Sequence, residues 1–204
     1  PQLAELARAG YAILAPIPSC TLMFKQELPL MFPGDADVQA VRAAMFDPFE
    51  YLVARKKDGL LKTDFKHALG KVSYHIPCHL RVQNVGQKTR EALQLVPGIE
   101  LNTIERCSGH AGTWGVKEQH FETAMKIGKP VFRQMSATNP DYISSDCSLA
   151  AMHIEQGIER NFVPGAERPH ARKAHPLTLF RMAYGLPGHG DGAGRQSVRS
   201  ETGD

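Results

Sequence analysis

The chain carries four cysteines, and each stands where an apolar, β-rich run ends. Cys20 closes Ile17-Pro18-Ser19-Cys20, Cys78 lies in His75-Ile76-Pro77-Cys78-His79, Cys107 opens Cys107-Ser108-Gly109-His110, and Cys147 ends Ser145-Asp146-Cys147. Three of the four runs pass quickly into a helical pattern. Such a residue sits at the carboxyl end of a strand, where open α/β sheets keep their ligands. It also lies beside the next helix N-terminus, whose N–H groups and dipole favour thiolate, the form of cysteine that binds metal. Four unrelated buried thiols are the alternative, and His75, His79 and His110 beside the thiols weigh against it.

Composition narrows the function classes. At 204 residues, 42% apolar and 22% charged, the chain has the make-up of a globular α/β protein with an ample core. A net charge of +3 is too slight to point to nucleic acid. No stretch approaches the length of a membrane span and no signal peptide opens the chain, so a cytoplasmic location is the expectation. Cysteines this widely spaced do not form the framework of a small secreted scaffold, which leaves reduced thiols or metal ligands. Arg168, His170, Arg172, Lys173 and His175 make a basic run that reads as a solvated linker.

The periodicity predicts a helix over 2–9, a strand over 11–16 and a helix over 21–31 disturbed by Pro29. A further helix begins at Ala36, Pro48 interrupts it, and another runs to Lys57. From Lys71 the alternation is regular: strands over 72–76, 99–105 and 141–145, and helices over 84–96, 116–135 and 148–160. Gly128 and Pro130 are expected to break the second of these helices. Such alternation implies a parallel sheet covered on both faces. Residues 161–186 read as an extension ending in a packed helix after His175, and the Gly-rich residues 187–204 as a disordered tail.

Residues 12–23 resemble residues 141–150: a strand, a Ser/Asp turn, then Cys-[Ser/Thr]-Leu opening a helix. Cys20 and Cys147 would then occupy equivalent places in two copies of one unit. The first copy, residues 1–58, is read as the C-terminal part of a unit whose earlier cysteine-bearing loops are missing. The second copy, residues 71–160, carries Cys78, Cys107 and Cys147 on loops after successive strands, which in a parallel sheet converge on one edge. Soft thiolates there select an iron–sulfur cluster, zinc or copper(I). His110, in the glycine-bearing loop 109–115, is the best-placed fourth ligand, with Gly109 free to bring backbone N–H groups close to a buried group. His75 and His79 are alternative ligands or supporting donors. Trp114 reads as a lid over the site.

Cys107-Ser108-Gly109-His110-Ala111-Gly112-Thr113-Trp114-Gly115-Val116-Lys117 resembles the Cys-Cys-Gly region of the cysteine-rich "CCG" domain family. That family is found in heterodisulfide reductase and in the iron–sulfur subunits of glycolate oxidase and anaerobic glycerol-3-phosphate dehydrogenase. Its pattern is a lone Cys, then Cys-Cys-Gly, then Cys-x-x-Cys, in two tandem copies. Cys78 matches the lone Cys, Cys107 the first of the pair, and Cys147 the first of the last motif. Ser108 and Ala150 replace two family cysteines, and Cys20 matches the last motif of a preceding copy with Met23 in place of its final Cys.

The resemblance implies two pseudo-repeated, Rossmann-like half-domains with parallel sheets, the first incomplete. It implies an iron–sulfur electron-transfer subunit, a component of an oxidoreductase complex and not a stand-alone catalyst. The cofactor would be a [4Fe–4S] cluster, or with fewer thiols a zinc or mononuclear iron ion in a partner-binding scaffold. The implied partner is a flavin dehydrogenase subunit or another electron carrier, with peripheral association to a membrane-bound complex.

Overall fold

The computed structural model describes residues 1–161 and 171–188. Helix α1 (Gln2–Arg8) leads into strand β1 (Ile13–Leu14). A helical run follows as α2 (Pro18–Leu22), a π-helical turn at Met23–Glu27, and α3 (Leu28–Met31). The π turn stands just ahead of Pro29, which has no N–H for the α-helical ladder. There the Leu28 N–H reaches back to the Met23 carbonyl, and the chain stays helical.

Asp35 caps α4 (Ala36–Ala44) by accepting from the N–H groups of Asp37 and Val38. Strand β2 (Met45–Phe46) comes next, and α5 (Pro48–Lys57) starts from a capping box of Asp47 and Glu50 with Pro48 at its first position. β1 does not stand alone, because it pairs in parallel with β2, Ile13 beside Met45. Residues 45–46 read in sequence as part of a helical pattern. The Asp47-Pro48 start signal of α5 instead ends α4 early and leaves two extended residues between the helices.

The second part runs β3 (Lys71–His75), α6 (Cys78–Arg81), α7 (Lys88–Leu93), β4 (Glu100–Ile104), α8 (Glu118–Ser136), β5 (Tyr142–Ser145), α9 (Ser148–Arg160), β6 (Arg172–Lys173) and α10 (Pro176–Ala183). All pairings are parallel and the spatial order is β4-β3-β5-β6. The expected α/β architecture with parallel sheets is present. On one face of this sheet, Ile104 and Ile143 pack with Met125, Phe132 and Met135 of α8 and with Ile154 and Ile158 of α9. On the other, Val72 and Tyr142 pack with Phe49 and Val53 of α5, Ala92 and Leu93 of α7, and Leu179 and Phe180 of α10. Each such side chain contributes about 1.5–3 kcal/mol on burial. α5 therefore packs on the second sheet, while its Tyr51 meets Phe46 of β2 edge-on and its Glu50 pairs with Lys25 of the first part.

Several expectations are corrected. α8 continues unbroken through Pro130, because Val131, Phe132 and Met135 beyond the proline are buried against the sheet and hold the last turns in place. α7 is shorter than 84–96, since Asn84 and Gly86 adopt positive φ and form a turn ahead of it. Arg172 and Lys173 are edge strand β6, not linker. Arg172 meets the Tyr142 hydroxyl and Lys173 meets Glu155, while Arg168 and His170 of the same run lie outside the described residues. Of the 187–204 tail, residues from 189 onward are likewise outside them.

The repeat at Cys20 also fails residue by residue. Cys20 lies within the first turn of α2, whereas Cys147 is the N-cap of α9. Pro18, with its preset φ, starts α2 two residues before the cysteine, and no proline does so near Cys147.

Candidate metal centre

Because β3, β4 and β5 are parallel and adjacent, the loops that follow them open on one edge. Cys78 is the first residue of α6, Cys107 lies in the loop after β4, and Cys147 opens α9. The strand order reverses direction between β3 and β5, the switch point where open sheets form a crevice, and the loops of Cys78 and Cys147 flank it. Cys20 approaches from the first part. Its helix packs on α6, where Gln83 Nε2 donates to the Pro18 carbonyl at 3.1 Å and to the His79 carbonyl at 3.0 Å. Cys20, Cys78 and Cys107 are exposed and Cys147 is half-buried.

The sulfurs have partners suited to negative charge. Arg81 donates to Cys78 Sγ at 3.3 Å, and its other terminal nitrogen lies 3.7 Å from Glu105. The Gly109 N–H donates to Cys107 Sγ at 3.4 Å. Cys147 Sγ lies 3.9 Å from His110 Nε2, and His110 Nδ1 is 3.5 Å from the buried Ser108 hydroxyl. Two ligands of one tetrahedral ion, with bonds near 2.3 Å to sulfur and 2.0 Å to nitrogen, stand roughly 3.5 Å apart. Cys147 and His110 are close to that spacing. Burial lowers the pKa of His110, and the nearby His153 and His79 push it the same way, so the neutral, ligating form is favoured. Among the described residues, no three His, Cys, Asp or Glu side chains already surround one point as metal ligands do. The loops that carry the thiols open on one edge of the sheet.

The loop of Cys107 to His110 is pressed against α8. Gly109 has φ +88°, and a Cβ there would fall well inside contact distance of the Ala124 carbonyl oxygen. Gly128 of α8 would likewise meet the Ser108 carbonyl, so two glycines let the loop and helix touch backbone to backbone. Gly109 thus has a packing role besides its N–H to sulfur. Trp114, read in sequence as a lid, stacks on His120 of α8, centroids 4.7 Å apart and 11° from parallel, and His120 is half-buried.

His75 is fully engaged within the fold. Nε2 lies 2.8 Å from the Arg106 carbonyl oxygen and must donate to it, which leaves Nδ1 to accept from the Ser145 hydroxyl at 3.2 Å. Ser145 Oγ in turn accepts from the Cys147 N–H at 3.4 Å. Burial pushes the His75 pKa down to about 4, so this neutral arrangement holds at neutral pH. One side chain thereby ties the loops of Cys107 and Cys147 to β3. His79, by contrast, is exposed.

A second buried network fixes the approach to Cys147. Tyr74 and Thr89 donate to the two oxygens of Asp146, the Thr89 bond being 2.9 Å. His175 caps α10 by accepting from the Leu177 N–H on Nδ1, so its Nε2 donates to the Asp146 carbonyl at 3.1 Å. The backbone of Pro16 is also in hydrogen-bonding reach of His175. Asp47 faces this network, its Oδ2 buried with no hydrogen-bond partner among the described residues. Burial raises both carboxyls to about 6, and for Asp47 the charge of Asp146 adds to the rise. Sequence reading missed Tyr74, Thr89, Arg81 and this role of His175. The only local signal was the helix-capping His-Pro pair at 175–176.

The chain is similar to several known proteins. The chain is 30% identical over 175 residues to a subunit of the anaerobic glycerol-3-phosphate dehydrogenase of Escherichia coli (strain K12), covering 85% of this chain and 41% of that one. It is 31% identical over 139 residues to lactate utilization protein A of Lysinibacillus sphaericus, 64% of this chain and 58% of that one. It is 31% identical over 118 residues to a subunit of the fumarate reductase (CoM/CoB) of Methanothermobacter marburgensis, 56% of this chain and 23% of that one. The chain therefore spans less than two thirds of the length of each of these relatives. Residues 72–155, which carry β3, β4 and β5 of the second sheet and the loops of Cys78, Cys107 and Cys147, match the CCG cysteine-rich domain.

Proposed function

We propose that the chain is an iron–sulfur electron-transfer component of an oxidoreductase, with the cluster held at the carboxyl edge of the second sheet. Cys78, Cys107 and Cys147 are the thiolate ligands and His110 the fourth, while Gly109 donates its N–H toward cluster sulfur and Cys20 lines the site from α2. The observation that carries this reading is the contact of Cys147 Sγ and His110 Nε2 at 3.9 Å on an edge where two more cysteine loops open. The donor set fits: soft thiolates suit iron–sulfur clusters, and an imidazole replaces thiolate in clusters of higher potential. When bound, a [4Fe–4S] cluster supplies one-electron storage and release.

The residues around it orient and insulate. Arg81 offsets the charge of Cys78, Ser108 directs Nε2 of His110 toward Cys147, and His75 and His175 hold the loops of Cys107 and Cys147 in place. Since the relatives are named as subunits of glycerol-3-phosphate dehydrogenase and fumarate reductase, the partner we assign is a flavin dehydrogenase subunit or another electron carrier. It acts on the cytoplasmic side, at a membrane-bound complex. Among the described residues no helix is long and apolar enough to cross a membrane.

Iron, acid-labile sulfide and zinc are to be measured on protein purified without oxygen. The reading expects iron and sulfide together, with a broad visible absorption that bleaches on reduction and is lost when Cys78, Cys107 or Cys147 becomes Ser. Zinc in place of iron would support the alternative of a metal-stabilised scaffold, for which three thiolates and one imidazole are also a complete set. Protein without metal sinks both.

A further inference from the structure

α9 starts at Cys147 and turns Ala150, Ala151, His153, Ile154, Gly157 and Ile158 inward. Five of these are apolar or glycine, and His153 is the exception. It is 3% exposed and packs edge-on against Phe132, centroids 5.7 Å apart, and Phe121, 6.3 Å apart. The Ala124 backbone carbonyl is in hydrogen-bonding reach of one ring nitrogen, while Nε2 is buried with no hydrogen-bond partner among the described residues. Leaving such a group unpaired is a cost that phenylalanine in the same aromatic pocket would avoid.

The arrangement is that of an imidazole awaiting a ligand. A carbonyl can only accept, so the nitrogen facing Ala124 carries the proton and Nε2 carries the lone pair. Metal-binding histidines are oriented in this way, with one N–H on a backbone carbonyl and the opposite nitrogen on the metal. The ring of His153 stands 6.5 Å, centroid to centroid, from that of His110, whose Nε2 meets Cys147 Sγ. His153 also lies one helical turn beyond Ala150, the position at which the family pattern has a cysteine and this chain has no donor.

We propose that His153 is a second nitrogen ligand of the centre, entering beside His110 and Cys147 on the inner face of α9 and completing a four-ligand set in place of one of the two exposed thiolates, Cys78 or Cys107. This rests on the reading of the sheet edge as a metal-binding site. It makes the centre a mixed thiolate and imidazole one, less negative than an all-thiolate site. The rings of His110 and His153 are neighbours, and Phe121 and Phe132 pack against His153.

The test is an anaerobic Co2+ titration of the full chain, following the visible d–d bands, for the wild type, His153→Phe and His110→Ala, with melting of each metal-free protein alongside. The proposal expects His153→Phe to weaken Co2+ binding at least about tenfold and to shift the d–d bands. Its metal-free melting temperature should equal or exceed that of the wild type, because the unpaired nitrogen is gone. Unchanged affinity and bands in His153→Phe overturn the proposal, as does a wild type that binds no Co2+. Co2+ binding by a chain that never takes up iron and sulfide would sink the iron–sulfur reading alone.

Discussion

His75 donates from Nε2 to the carbonyl oxygen of Arg106 across 2.8 Å, joining the last residue of β3 to the residue just before Cys107. Because burial holds its pKa near 4 against an ordinary 6.5, the unfolded chain takes up a proton between those values that the folded chain refuses. The contribution of His75 to stability is therefore complete above pH 6.5 and is lost as pH falls through 4, by about 3 kcal/mol over the window. His75→Leu should lower stability by about 2–4 kcal/mol at pH 7, with a gap that narrows toward pH 4.5. Urea unfolding of both proteins across pH checks this, and a gap independent of pH would count against it.

Asp47 should show the opposite dependence. Its carboxyl is raised to about 6 from 3.8, by burial first and the charge of Asp146 second, so its favourable contribution is complete below 3.8 and is lost as pH rises through 6. Asparagine keeps the cap on α5 and removes the charge. Asp47→Asn is expected to be about as stable as the wild type near pH 4 and more stable by up to about 3 kcal/mol at pH 8. Melting curves that cross the other way would refute the assignment.

Gly109 and Gly112 sit in one loop and should respond differently to alanine. Gly109 combines φ +88° with a blocked approach to α8, while Gly112 has φ +60° and open space around it. Gly112→Ala should cost about 1 kcal/mol, and Gly109→Ala at least about 2–4 kcal/mol together with loss of bound metal. Equal losses in thermal melting would mean that the loop does not rest on α8.

Gly157 of α9 faces the ring of Phe132, and an added Cβ would overlap several ring atoms. Alanine raises helix propensity by about 0.5–1 kcal/mol, but overpacking costs about 1–3, so Gly157→Ala should destabilise. Adding Phe132→Leu should recover part of the loss. A double-mutant cycle with coupling below about 0.5 kcal/mol would place the two residues further apart than they stand.

The strand-to-helix alternation over 71–160 was legible because hydrophobic period and turn residues are local signals. They placed β3, β4, β5 and α9 to within a residue or two, and the cysteines at the ends of these strands. Convergence of the three cysteine loops followed as well, since parallel neighbours open their carboxyl ends on one edge. The course of the chain between the two sheets was not legible. β2 is two residues long, and α8 passes through a proline that its own sequence argues should break it, because burial against the sheet outweighs the local penalty.

The side-chain partnerships around the site were least legible of all. Tyr74 and Asp146 lie 72 residues apart in the chain, and His75 and Ser145 lie 70 apart. No periodicity reports such a pairing, since it depends on register between strands and on the rotamers that packing allows. The sequence determined which donors reach the sheet edge. Only the tertiary structure decided that His75 is consumed in holding loops while His153 stands buried with a nitrogen unpaired, because hydrogen-bond saturation depends on neighbours that the fold alone supplies.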